Sequence, residues 1–134
     1  MRMMKNAFLI SVLSFVLFAC GEEKTEAQVG QYTTIEVEEV YNAGSVAKGE
    51  IIEAKIEVKN TGDYPLMIAN VSASCACTVS EFDEDAIQPG ETTTVVATVD
   101  TDKTGKGRIN KPISISANTR PSRTVISIQA TVLD

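Results

Sequence analysis

The strictest constraint in the chain is the run Ile52-Glu53-Ala54-Lys55-Ile56-Glu57-Val58-Lys59, where every even position is apolar and every odd one charged. Successive side chains of an extended strand point to opposite faces, so a strand here puts Ile52, Ala54, Ile56 and Val58 on one side and four charges on the other. A helix would wind the same residues around its whole circumference. The run is therefore a strand with one face on a core and one in water, the habit of antiparallel sheets. Its alternating Glu and Lys read as a solvated face, not as an acid/base pair. A single half-buried strand needs a second layer to cover it.

The flanking sequence supplies that layer. Ile35 and Val37 alternate with Thr34, Glu36 and Glu38 in a first strand, and the glycines and small residues of Asn42–Glu50 read as a turn. Asn60-Thr61-Gly62-Asp63-Tyr64-Pro65 is a dense turn cluster, with Gly62 expected at positive φ and Pro65 presetting the exit. Leu66, Ile68 and Asn70 continue as one face of a third strand, followed by a short strand near Cys75 and Cys77. Past the acidic Glu81–Asp85 stretch and the Pro89-Gly90 turn, Val95, Ala97 and Val99 share one face of another strand. Thr101–Gly107 is read as a hairpin turn; its Gly105-Lys106 pair lacks the glycine spacing of a phosphate loop. Ile109, Ile113 and Ile115 mark the next strand, and Pro112 within it implies a sheet edge or a bulge. Asn118–Pro121 turns the chain into a closing strand carrying Ile126, Ile128, Ala130 and Val132. The expected fold is all-β, an antiparallel sandwich of about six to seven strands of immunoglobulin-like type.

The N-terminus is different in kind. Arg2 and Lys5 precede an apolar run from Ala7 to Ala19, shorter than the roughly 20 residues a spanning helix needs, so it reads as a helical export signal. Its ending, Leu17-Phe18-Ala19-Cys20, resembles the lipobox of bacterial lipoproteins, which implies cleavage before Cys20 and acylation of its thiol. Residues 1–19 are then a signal peptide and 20–32 a lipidated cysteine with an acidic flexible tether. Residues 33–134 form the single domain. Acyl chains contribute about 0.8 kcal/mol per buried methylene, which anchors a protein without any span. Gly21 lacks the aspartate that resembles an inner-membrane retention signal, so the expected site is the outer membrane, on either its periplasmic or its surface face. Loss of Arg2 and Lys5 leaves ten basic residues against 18 acidic ones, a net of −8, with no Lys/Arg cluster apparent in the sequence to reverse it. Nucleic acid is not an expected partner.

Processing leaves Cys75 and Cys77 as the only other thiols. On an extended strand their Cα atoms stand about 6.5 to 7 Å apart, at the outer limit for a disulfide, so bridging them requires a backbone kink. Four readings stay open. The cysteines pack as small apolar residues, form a redox pair, hold a soft metal such as Cu(I) with Met67 as a third ligand, or pair between molecules. The mature chain has no histidine, so nucleophilic triads lack their base and a zinc site lacks its usual fourth ligand. Asp83 and Asp85 sit in a loop without enclosing walls and read as solvated.

Gly44-Ser45-Val46-Ala47-Lys48-Gly49-Glu50, Asn60-Thr61-Gly62-Asp63, Pro65-Leu66, Ser74-Cys75-Ala76-Cys77-Thr78, Pro89-Gly90-Glu91 and Gly107 through Asn118 together resemble the successive motifs of the DUF1573 family. The resemblance covers roughly residues 35 to 134 and implies an immunoglobulin-like envelope domain without an assigned activity. Ala76 departs from the glycine usual between the two cysteines, and its methyl narrows the freedom of a Cys-x-Cys turn. The expected function is a lipid-anchored, non-catalytic binding or assembly module that needs no cofactor and meets a protein partner in the envelope, with the Pro112 edge as a docking site. The alternative is thiol redox or copper handling through Cys75 and Cys77.

Overall fold

The computed structural model describes residues 30–76 and 78–134. The export signal, Cys20, the tether up to residue 29 and Cys77 lie outside the described residues.

Within them the chain forms eight strands: β1 (Ile35–Val37), β2 (Val40–Ala47), β3 (Ile51–Asn60), β4 (Ile68–Ala73), β5 (Thr78–Glu81), β6 (Thr92–Asp100), β7 (Gly107–Ala117) and β8 (Arg123–Leu133). They make two four-stranded sheets, ordered β1-β3-β6-β5 and β2-β8-β7-β4. The fold is the expected all-β sandwich. The alternation of β3 places Ile52, Ala54, Ile56 and Val58 in the core, facing Val95, Ala97 and Val99 of β6 within their sheet. Ile109, Ile113, Ile115, Ile126, Ile128, Ala130 and Val132 supply the other layer. With aliphatic residues at every one of these positions, the core rests on area burial at about 25 cal/mol per Å².

Several local expectations are revised. The segment read as a turn at Asn42–Glu50 is mostly strand β2. Gly44, at φ 72, and an Asn42 Oδ1 that accepts the Gly44 N–H allow a bulge, and pairing with β8 resumes at Ser45. That pairing is parallel, the one departure from an antiparallel sandwich among the described strands. A register shift between Ile68 and Asn70 turns Asn70 out to solvent and Val71 into the core. The Thr101–Gly107 connection is not a hairpin, because β6 and β7 belong to different sheets. It crosses between the layers through a 3-10 turn at Thr101–Lys103.

Buried polar side chains pin the two ends. At one pole Asn60 occupies the fifth inward position of β3 and is fully buried. Its Nδ2 donates to the carbonyls of Tyr64 (2.8 Å) and Ile87 (2.9 Å), while its Oδ1 accepts from Thr33 Oγ1 (2.7 Å) and the Gly62 N–H (3.1 Å). Asn118 acts beside it, accepting from the Met67 N–H and donating to the carbonyls of Pro65 and Gln31. Arg120 stacks 3.9 Å from the centre of the Tyr32 ring, so Gln31 and Tyr32 already touch the sandwich. The chain thus reaches the domain at this pole. At the opposite pole Thr101 Oγ1 donates to the Glu50 carbonyl (2.6 Å) and accepts from the Gly49 N–H (2.9 Å). Lys48 Nζ caps the carbonyls of Thr101, Asp102 and Thr104 there.

Gly62 is not at positive φ. It is required by close approach, since a Cβ would come within 2.6 Å of the Thr34 backbone nitrogen. Asn60→Ala leaves four hydrogen-bond partners unmet, two of them in buried bonds, and is expected to cost about 2–4 kcal/mol. Gly62→Ala forces the Thr33–Thr34 backbone away and is expected to cost about 1–3 kcal/mol. Urea unfolding checks both, with the midpoint falling at unchanged slope.

Candidate functional site

The cysteine segment joins β4 of one sheet to β5 of the other, at the pole opposite Asn60. The Thr78 N–H bonds the Cys75 carbonyl at 3.3 Å, closing a tight turn over Cys75–Thr78. The turn forms with Ala76 inside it, and the Ala76 side chain points to solvent. Cys75 is half-buried and disulfide-bonded. A disulfide sulfur carries no proton, so in the 3.9 Å contact between Cys75 Sγ and Thr78 Oγ1 the hydroxyl is the donor. Ser80 Oγ returns to the Val71 carbonyl at 3.0 Å and holds β5 against the end of β4.

Met67 is not brought to this turn. It precedes β4 while Cys75 follows it, and the strand between them extends for about 20 Å. Among the described residues, no cluster of three His, Cys, Asp or Glu side chains has a geometry that would hold a metal. Asp83 and Asp85 remain exposed, the first accepting the Asp85 N–H through its own side chain in a local turn.

Beside the turn runs β7. Pro112 was expected to mark an edge or a bulge, yet β7 lies between β8 and β4. The resolution is that β4 stops there. Ala73 pairs with Ile113, and the Ser74 N–H reaches the Pro112 carbonyl at 3.3 Å, but Pro112 has no N–H to return. Because alternate residues of a strand direct their backbone groups to the same side, Pro112, Asn110 and Arg108 all face the β4 side. No described strand pairs with β7 on that side between Gly107 and Lys111, although β8 pairs with the whole length on the other. The first half of β7 is therefore an open edge inside a strand whose second half is interior.

The basic residues missed as a cluster in the sequence gather here. Lys48 joins Lys103, Lys106 and Arg108 at this pole, with Lys111 three residues along β7. Lys48 is engaged with backbone carbonyls, Lys103 pairs with Asp100 at 3.3 Å and Lys106 with Asp134, which leaves the Arg108 and Lys111 side chains without a polar partner among the described residues. The signal for this grouping was four basic residues between positions 103 and 111. It escaped notice because Lys48 is distant in sequence and the acidic total dominates the composition.

The chain belongs to the family described as a protein of unknown function (DUF1573), which matches residues 33–132. Among solved structures it is similar to a protein of unknown function from Porphyromonas gingivalis W83, at 26% identity and TM-score 0.67 over 78% of this chain and 49% of that one. The chain thus spans about half the length of that protein. It is also similar to PapD-like domain 7 of human CEP192 (12% identity, TM-score 0.61, 77% of this chain and 87% of that one). A third similar structure is the VesB protease of Vibrio cholerae (15%, TM-score 0.61, 72% and 31%). At such identities the last two show the fold alone, a two-sheet β-sandwich. Among curated proteins, none matches the sequence.

Alkylation of the unfolded, unreduced protein is expected to leave Cys75 unmodified, and prior reduction to expose it. Peptide mass mapping reads both states and identifies the sulfur to which Cys75 is joined.

Proposed function

We propose that this DUF1573 protein is a lipid-anchored module of the bacterial envelope, held to the outer membrane through Cys20, whose sandwich binds a protein partner without catalysing a reaction. The observation that carries this reading is the open half of β7. A strand edge with free N–H and C=O groups is a template for another strand, and here Arg108, Lys111 and Pro112 restrict which strand it accepts. Here it lies at the pole opposite the one where the chain enters from the tether. A domain anchored through Cys20 would hold this edge away from the bilayer. The sequence supports the anchor through its lipobox-like Leu17-Phe18-Ala19-Cys20 and the acidic tether that follows.

A second reading, thiol redox at Cys75 and Cys77, is supported by the disulfide at Cys75 and the tight turn around it. A thiol titration across glutathione redox buffers tests it: a reversible two-electron transition supports the reading and a flat response sinks it.

Two variants test the main proposal. Cys20→Ser is expected to abolish labelling with palmitate and to move the protein out of the membrane fraction; retention of both overturns the anchor. Asn110→Pro removes the outward-facing N–H of the edge and leaves the β8 ladder whole, repeating at the next alternate position what Pro112 already does. The thermal unfolding of this variant is expected to stay within a few degrees of the wild type, while envelope partners captured by the wild-type chain are lost. Undiminished capture by a folded Asn110→Pro protein rejects the edge as the docking site.

A further inference from the structure

The open edge also carries information about what it accepts, and this step rests on the edge reading above. Its five residues, Gly107–Lys111, show a fixed pattern of faces. Ile109 is buried and pairs with the core residue Ala130, so Gly107, Ile109 and Lys111 point toward the inner face. Arg108 and Asn110 are exposed on the outer face. Lys111 is the anomaly. It stands on the core side opposite the fully buried Ile128, between Ile109 and Ile113, half-buried, and its side chain makes neither an ion pair nor a hydrogen bond among the described residues. An inward-pointing lysine on an edge is one way of refusing indiscriminate strand pairing. Its charge is best met by an opposite charge carried on the strand that docks. Arg108 places the same requirement on the other face, three residues away.

We infer that the edge selects an extended peptide of a partner protein that bears two acidic residues three positions apart. In an antiparallel alignment continuing the direction of β4, one acid lies across from Lys111 on the inner face. Three residues later the other lies across from Arg108 on the outer face, since positions an odd number apart fall on opposite sides of a strand. Between them, the residue across from Asn110 is polar and the residue across from Ile109 is apolar. The order acid, polar, apolar, acid is therefore the complement of Lys111-Asn110-Ile109-Arg108. Charge complementarity also argues against a second copy of this chain. A symmetric antiparallel pairing of two β7 edges about Asn110 would set Lys111 across from Ile109 and Arg108 across from Pro112 of its twin, so neither cation would meet an opposite charge.

The test uses the full chain in detergent and two capped peptides, one containing Glu-Thr-Val-Glu in a Thr/Val background and one with both Glu replaced by Gln. Fluorescence anisotropy is expected to show about tenfold tighter binding of the Glu peptide, a preference that weakens with added salt. Arg108→Glu with Lys111→Glu is expected to abolish that preference. N-methylation of the peptide backbone at the residue facing Asn110 is expected to remove binding with the protein unaltered. Equal affinity for the two peptides, together with loss on N-methylation, overturns the acidic preference and leaves the edge reading intact. Binding indifferent to both N-methylation and Asn110→Pro overturns the edge reading itself. Failure of the wild-type chain to bind either peptide overturns both. A concentration-dependent dimer in sedimentation, lost in Asn110→Pro, assigns the edge to a second copy and overturns the inference.

Discussion

The sandwich depends on a single amide placed where an aliphatic side chain is expected. Asn60 continues the inward series of Ile52, Ala54, Ile56 and Val58, and a fully buried carboxamide there costs several kcal/mol if its groups are unmet. Every one of them is met: two donors serve the Tyr64 and Ile87 carbonyls, and the oxygen accepts from Thr33 and Gly62. Three stretches of chain that approach this pole separately are thereby held to one another. With Asn118 adjacent, the arrangement fixes where the N-terminal segment joins and how the sheets close at that end. Thr101 and Lys48 solve the same problem at the other pole with a hydroxyl and an ammonium group.

Much of this was legible in the sequence wherever side chains alternate cleanly. The inner faces of β3, β6 and β8 follow directly from their spacing, because a period of two leaves a strand no other way to bury Ile and Val. What escaped was set by partners distant in the chain. Asn60 reads as the first residue of a turn unless the alternation is carried one step further. Gly62 looks like a residue chosen for its backbone angle, whereas it is small because the Thr33–Thr34 backbone passes against it. Strand β2 was hidden by a glycine and by small side chains, and its parallel pairing with β8 joins residues more than 80 positions apart, beyond the reach of any local pattern.

The cysteine turn and Pro112 make more sense together than apart. Pro112 ends the hydrogen-bond ladder from one side, and the turn closed by the Thr78 N–H lifts the chain across to the other sheet at the same level. Had β4 run on, Cys75 would have faced Lys111 and the following residues would have covered the edge. The family signature at residues 74–78 therefore shapes a sheet boundary whatever chemistry its sulfurs undergo. Pro112 was readable as an edge signal, but the edge it marks is half a strand long, and only the topology shows which half.

The parallel pairing of β2 with β8 has a mechanical meaning. The chain enters near the start of β2 at the Asn60 pole, and β8 ends at the opposite one. A pull between an anchored N-terminus and an object held at the far pole would draw these two strands past each other along their common direction. The bonds between Val40 and Ala47 on one strand and Ser127 and Leu133 on the other would then share the force together, in shear, instead of opening one after another from an end. A domain wired in this way resists extension along its own axis better than it resists peeling from the side.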